Sequence, residues 1–227
     1  MVIGILLAAG ESLRLKSRVT PKQFLKIGKK KLYQFSLDTF VKHKKVDQVV
    51  LVVNDQFITQ VQDEIKFYAK LKTIHVIAGG KTRQESSYLA LQYAKFHIKP
   101  DFVLIHDVSR PMISELLIDT LIAKLKHYPA MTLARQINDS LFVVDDKATL
   151  NNYLGKNDIY LSQTPQAFEF ETILDAHEYA RKLKIKTAID DASLLFLMGK
   201  KVHVVTGSRL NFKVVSEDDL LLLEKLI

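Results

Sequence analysis

Short runs of Val, Ile and Leu alternate with amphipathic stretches along most of this 227-residue chain, and that alternation restricts the possible folds more than any other feature. Apolar runs at 2–8, 49–53, 73–77, 102–106, 131–135 and 202–205 have the length and composition of strands. Between them, the segments 33–43, 57–69, 84–96, 115–127, 169–182, 190–198 and 217–226 repeat apolar residues at helical spacing. Strands that are apolar throughout belong to a sheet covered on both faces. The rhythm therefore predicts one α/β domain, residues 1–227, with helices on either side of a mostly parallel sheet. It breaks at 138–161, where strand-like pieces flank Asp145-Asp146-Lys147 and no amphipathic helix is present. That stretch reads as a hairpin arm projecting from the sheet, placed to contact a partner subunit.

The bulk properties exclude little. No apolar run reaches about eighteen residues, so no membrane span is expected. The first ten residues lack the charged start and small-residue cleavage site of a leader and read as a buried first strand. The chain has no cysteine, which removes disulfides and thiolate metal sites and fits a reducing compartment, with the cytoplasm as the default. A net charge of +8 draws polyanions without choosing among nucleic acid, membrane phosphate and small phosphorylated substrates.

In open parallel sheets, ligands bind beyond the carboxyl ends of the strands. The loop after the first strand reads Leu7-Ala8-Ala9-Gly10, followed by Arg14 and then Pro21-Lys22-Gln23. Small residues let a backbone approach a phosphate or base, and the two cations supply charge. The pattern is neither a Walker loop nor a dinucleotide loop, since GxxxxGK[ST] and GxGxxG are both missing. Further blocks follow in order: Gly79-Gly80 with Arg83 and Ser86, His106-Asp107 with Arg110-Pro111, Thr164-Pro165-Gln166, Asp190-Asp191-Ala192-Ser193, and Asn211-Phe212-Lys213. Together these seven motifs, spread over nearly the whole chain, resemble the 2-C-methyl-D-erythritol 4-phosphate cytidylyltransferase family and its close kin, the ribitol-5-phosphate cytidylyltransferases.

The resemblance implies a Rossmann-like nucleotidyltransferase domain and a magnesium-dependent reaction of CTP with a small polyol or sugar phosphate. It implies CTP contacts at Ala8, Ala9, Gly10, Gly80 and Ser86, and catalytic charge at Arg14, Lys22 and Lys213. Asp107 becomes the carboxylate on the metal and acceptor side. Arg110, Ser140, Lys156 and Thr164 become acceptor contacts, the arm residues reaching into the neighbouring subunit of a homodimer. Each position also has a plain reading: Lys22 as a solvated lysine, Ser86 as a helix cap, Asp107 as a strand-end turn residue, and Arg110 as a tie between loops. His106 needs no role as a base, because a phosphate monoester is largely dianionic near neutral pH.

Several positions depart from the family pattern. Ser12 and Lys81 replace a frequent glycine and a frequently acidic or small residue, and Ile189 replaces the usual threonine before Asp190. Ser140 keeps the hydroxyl of the usual threonine, whereas Lys156 replaces an arginine, keeping the charge without the planar fork that grips a phosphate twice. The Asp190-Asp191-Ala192-Ser193 block favours methylerythritol phosphate as acceptor, with ribitol phosphate as the alternative. A basic nucleic-acid-binding domain, suggested by Lys29-Lys30-Lys31 and the lysines at 42, 44 and 45, lacks an aromatic-studded basic strand on which bases would stack.

Overall fold

The computed structural model describes residues 1–10, 20–186 and 188–227. The chain opens with β1 (Val2–Ala8), a 3-10 turn at Lys22–Phe24 and the small antiparallel ribbon of β2 (Lys26–Ile27) and β3 (Lys30–Lys31). Then come α1 (Leu32–Lys42), β4 (Gln48–Val53), α2 (Ile58–Glu64), β5 (Thr73–Ala78), α3 (Arg83–His97), β6 (Phe102–Asp107), α4 (Glu115–Lys124) and β7 (Ala130–Gln136). The arm is β8 (Leu141–Val144) paired antiparallel with β9 (Leu150–Leu154). After it follow β10 (Tyr160–Glu169), α5 (Phe170–Lys182), α6 (Asp191–Leu197), β11 (His203–Thr206) and α7 (Glu217–Leu226).

Seven strands form the main sheet in the order β11-β7-β10-β6-β1-β4-β5. Within this sheet β10 runs antiparallel to β7 and β6, and the remaining neighbours pair in parallel. The period-two geometry of β1 sends Leu6 and Ala8 into one apolar layer with α1, α2 and α4, and Ile3, Ile5 and Leu7 into another with α3, α5 and α6. This double covering is what the unbroken apolar strands demanded. Gly4 lies under α1, where a Cβ would sit 2.4 Å from Phe40 Cδ1, so any side chain there would push the helix off the sheet. A third, smaller apolar cluster seats α7 against the ribbon and Val214.

Two local differences from the sequence reading have physical causes. The expected helix over 57–69 is split into α2 and a 3-10 turn at Lys66–Lys70, which carries Tyr68 inward until its hydroxyl donates to Asp38. The strand β10 was not anticipated. Pro165 offers no N–H for a ladder, and Gln163, Thr164 and Gln166 interrupt the apolar run, yet all three polar side chains are buried and hydrogen-bonded. The register shifts between Gln163 and Gln166, which accommodates the proline.

Candidate active site

The chain builds outward from β1 to β4 and β5, then returns through α3 to place β6 on the other side of β1. That reversal opens a crevice at the strands' carboxyl ends, the usual ligand position in such sheets. A cleft of about 650 Å³ lies there, lined by the loops after β1, β4, β5 and β6 together with Lys22, Gln23, Lys213 and Val215. Ala8, Ala9, Gly10, Lys22, Gly80, Ser86, Asp107 and Lys213 all line it. Arg14 lies outside the described residues.

The small residues let two loops touch. A Cβ on Gly79 would stand 2.4 Å from the Ala9 methyl, so the backbone of the β5–α3 loop packs directly against that methyl of the first loop. Thr82 caps α3 by accepting from the Glu85 N–H at 3.0 Å, and Glu85 reaches back to accept from the Lys81 N–H at 2.8 Å. The Ser86 hydroxyl donates to the Thr82 carbonyl at 2.9 Å and accepts from the Gly80 N–H at 3.1 Å, closing the loop onto the helix. The Lys22 ammonium is steered by the Val214 carbonyl at 2.8 Å, and Gln23 donates to the Gly10 carbonyl at 2.9 Å.

At the floor, Asp107 ends β6 with only 7% of its surface exposed. Its Oδ1 accepts from Arg83 Nε at 2.9 Å and its Oδ2 from Lys213 Nζ at 2.7 Å. Burial alone would push this carboxyl up, but the Arg83 and Lys213 charges outweigh it and hold it well below the usual carboxylate range. Arg83 continues through Nη1 to Asp191 Oδ2 at 2.8 Å, and Asp191 Oδ1 accepts from His177 Nε2 at 2.9 Å. Asp191, 1% exposed, is likewise held low: burial opposes the shift, and the Arg83 charge leads the groups that overcome it. Sequence reading assigns no role to Arg83 or Asp191, although both stand in the motifs. The available signal was a charged residue at each of two helix starts that the apolar pattern directs against the sheet.

Behind Asp107, its N–H donates to Thr164 Oγ1 at 3.0 Å, and Thr164 lies 3.0 Å from His106 Nδ1. His106 Nε2 lies 3.1 Å from the Arg110 carbonyl, which can only accept, so the ring proton belongs on Nε2 and Nδ1 accepts from Thr164. Burial lowers the His106 pKa to about 4, leaving a neutral ring with both nitrogens committed. Arg110 ties loops together, donating to the Asn211 carbonyl at 2.9 Å and the Ser162 carbonyl at 3.0 Å. Thr164 and Arg110 thus sit beside the cleft without lining it. Ser140 and Lys156 are exposed on the arm, where Lys156 donates to the Asn138 carbonyl at 3.0 Å, and neither lines the cleft.

Among the described residues, no three His, Asp or Glu side chains cluster as a dedicated metal cage. Magnesium does not require one, since it is usually held by one or two carboxylates together with substrate phosphates. Asp107 fits that role. Of the roughly four lone-pair sites on its carboxylate, Arg83 and Lys213 occupy two.

Comparison with known proteins agrees along the full length. The family model for 2-C-methyl-D-erythritol 4-phosphate cytidylyltransferase matches residues 2–227. Curated proteins of that name from Thermotoga neapolitana and Petrotoga mobilis are 35% and 33% identical over 220 residues, covering 97% and 96% of this chain and 94% and 95% of theirs. The crystal structure of the Thermus thermophilus protein of that name superposes with a TM-score of 0.81 at 27% identity, over 100% of this chain and 98% of that one. The 4-diphosphocytidyl-2C-methyl-D-erythritol synthase of Anaerococcus prevotii gives 0.85 at 25% identity, over 100% and 95%. With a fold, a cleft and a sequence that agree from the first strand to the last helix, this chain belongs to the 2-C-methyl-D-erythritol 4-phosphate cytidylyltransferase family.

Proposed function

We propose that this enzyme transfers the cytidylyl group of CTP to 2-C-methyl-D-erythritol 4-phosphate, releasing pyrophosphate and forming 4-diphosphocytidyl-2-C-methyl-D-erythritol, a step of isoprenoid precursor synthesis. The observation that carries this reading is the family match over residues 2–227. The cleft that holds the motif residues at the sheet's reversal point supports it. Ribitol phosphate is not favoured as acceptor, because the matching family and the named relatives are methylerythritol enzymes.

The chemistry follows from charge. An oxygen of the acceptor's phosphate dianion attacks the α-phosphorus of CTP, a new P–O bond forms, and the bond to the β-phosphate oxygen breaks as pyrophosphate departs with the electron pair. No base is needed, in keeping with the neutral, fully committed His106. Lys22 and Lys213 neutralise charge on the α-phosphate and the leaving group, with Arg14 assigned the same duty from its motif. Asp107 would hold magnesium, which would supply charge neutralisation on the phosphates. The Ala8-Ala9-Gly10 backbone and Gly80 receive the nucleotide. Ser86, with its proton on the Thr82 carbonyl, offers an acceptor that suits the amino group of cytosine.

Ser140 and Lys156 do not line the chain's own cleft, and the arm around them exposes Phe142 and Tyr153 at 53% and 65%. Both facts support a homodimer in which each arm serves the partner's acceptor site, with Arg110 and Thr164 supporting that site from within the chain. Pyrophosphate release with CTP and magnesium, measured in parallel with methylerythritol 4-phosphate and ribitol 5-phosphate, tests the reading. Turnover with the first acceptor supports it, and turnover with ribitol phosphate alone overturns the acceptor assignment.

A further inference from the structure

The geometry points to Arg83 as a positioning residue for the transfer step, anchored from outside the cleft by Asp191. Its guanidinium joins two buried carboxylates that come from different parts of the chain: Asp107 at the end of β6 and Asp191 at the start of α6. On Asp107 the two oxygens have different partners. Oδ1 is taken by a planar, permanently charged fork whose other arm is fixed, while Oδ2 is taken by Lys213, an ammonium on a flexible stem. Arg83 therefore sets the plane of the carboxylate, and that plane decides where Oδ2 and the Lys213 ammonium stand at the cleft floor.

Asp191 keeps Arg83 in place, and His177 keeps Asp191 in place, giving an unbroken series Lys213–Asp107–Arg83–Asp191–His177 with every link at 2.7–2.9 Å. Arg83, Lys213, Asp107 and Asp191 balance in charge, so removing one member leaves a buried charge unpaired. Arg83 Nη2 is buried and has no partner among the described residues, so Nε and Nη1 alone fix the group's orientation. Lysine at this position would keep the charge and lose the fork that spans both carboxylates. Asparagine at 191 would keep the shape of that side chain and remove the charge that holds Arg83.

This inference rests on the proposed transfer reaction, and the test separates the two. Turnover by the wild-type enzyme with CTP, magnesium and methylerythritol 4-phosphate checks the reaction; ratios of variant to wild type check Arg83. Arg83→Lys and Asp191→Asn are expected to lower kcat by about tenfold or more and about threefold or more, because a misplaced charge contact costs that much in a transition state. The dissociation constant for CTP, read by calorimetry, should stay within about threefold, since the Arg83 and Asp191 side chains bond to each other, Asp107 and His177, and the bonds that shape the Gly80–Ser86 turn remain. Leu121→Ala, in the core of the opposite face, serves as the stability control: it should lower the melting temperature while holding kcat within about twofold. Two results would overturn the inference: full kcat in folded Arg83→Lys and Asp191→Asn, or an equal loss of kcat in Leu121→Ala. Should Arg83→Lys not fold, Asp191→Asn decides the matter alone.

Discussion

Around the cleft, charged side chains satisfy one another before any ligand arrives: Asp107 is held by Arg83 and Lys213, and Arg83 by Asp191. Along the arm the reverse holds. Phe142, Val143, Leu150 and Tyr153 are exposed, and among the described residues the strands carrying them, β8 and β9, pair only with each other. The cleft spends buried polar contacts on fixing positions, which is what charge stabilisation in a transition state requires. The arm leaves apolar surface uncovered, which a second copy of the chain would cover. One region is finished by its own fold, and the other is left open for the association proposed above.

The largest expected effect tests the cleft side of that contrast. Asp107→Asn leaves Arg83 and Lys213 without their shared anion and should cut turnover by about a hundredfold or more, with a loss of roughly 3 kcal/mol in urea unfolding. Retention of both would mean that the network is not set in advance. Lys22→Ala should lower kcat at least about tenfold, because it removes a charge from the α-phosphate and the leaving group while the Val214 carbonyl that steers the ammonium stays in place. Normal turnover in that variant would remove Lys22 from the transition state.

The arm side is tested next. Phe142→Ser combined with Tyr153→Ser should shift sedimentation from dimer to monomer and depress acceptor turnover several-fold, about the scale of losing one phosphate contact, while CTP binding persists. A monomeric variant with full activity would break the comparison, since the arm would then serve no second site.

A smaller effect belongs to acid stability. The Asp191 carboxyl stays charged in the folded chain at pH values where the unfolded chain takes up a proton. The stability it contributes is complete above about pH 4 and is lost as the pH falls below that, so Asp191→Asn should flatten the acid side of a plot of urea midpoint against pH. Lys156→Arg comes last. By restoring a two-pronged phosphate grip it should lower the acceptor KM a few-fold and leave the CTP KM alone. An unchanged acceptor KM would move the arm away from the phosphate.

Most of the layered architecture was legible because burial on both faces writes itself into composition: β1 is apolar throughout, β4 beyond Gln48 and β6 as far as Ile105, and α7 matches its expected span of 217–226. The cleft was legible as a set of strand ends and loops, since Gly79-Gly80 and Asn211-Phe212-Lys213 follow strands and His106-Asp107 closes β6. What stayed hidden was polar and buried. β10 passes through the middle of the sheet carrying Gln163, Thr164, Pro165 and Gln166, a composition that reads as loop until Asn211, Thr132 and Asp107 are seen to supply its partners.

By itself, then, the sequence determined that the chain is an α/β layer sandwich with a projecting arm, and which loops carry small residues and cations, because hydrophobic periodicity and backbone sterics act over a few neighbouring residues. Only the tertiary structure decided that Arg83 joins Asp107 to Asp191, residues 24 and 108 positions away along the chain, and that Lys213 meets the same carboxylate. Such pairings depend on hydrogen bonds between groups that approach one another only after the sheet has formed, and nothing in their local sequence encodes the distance.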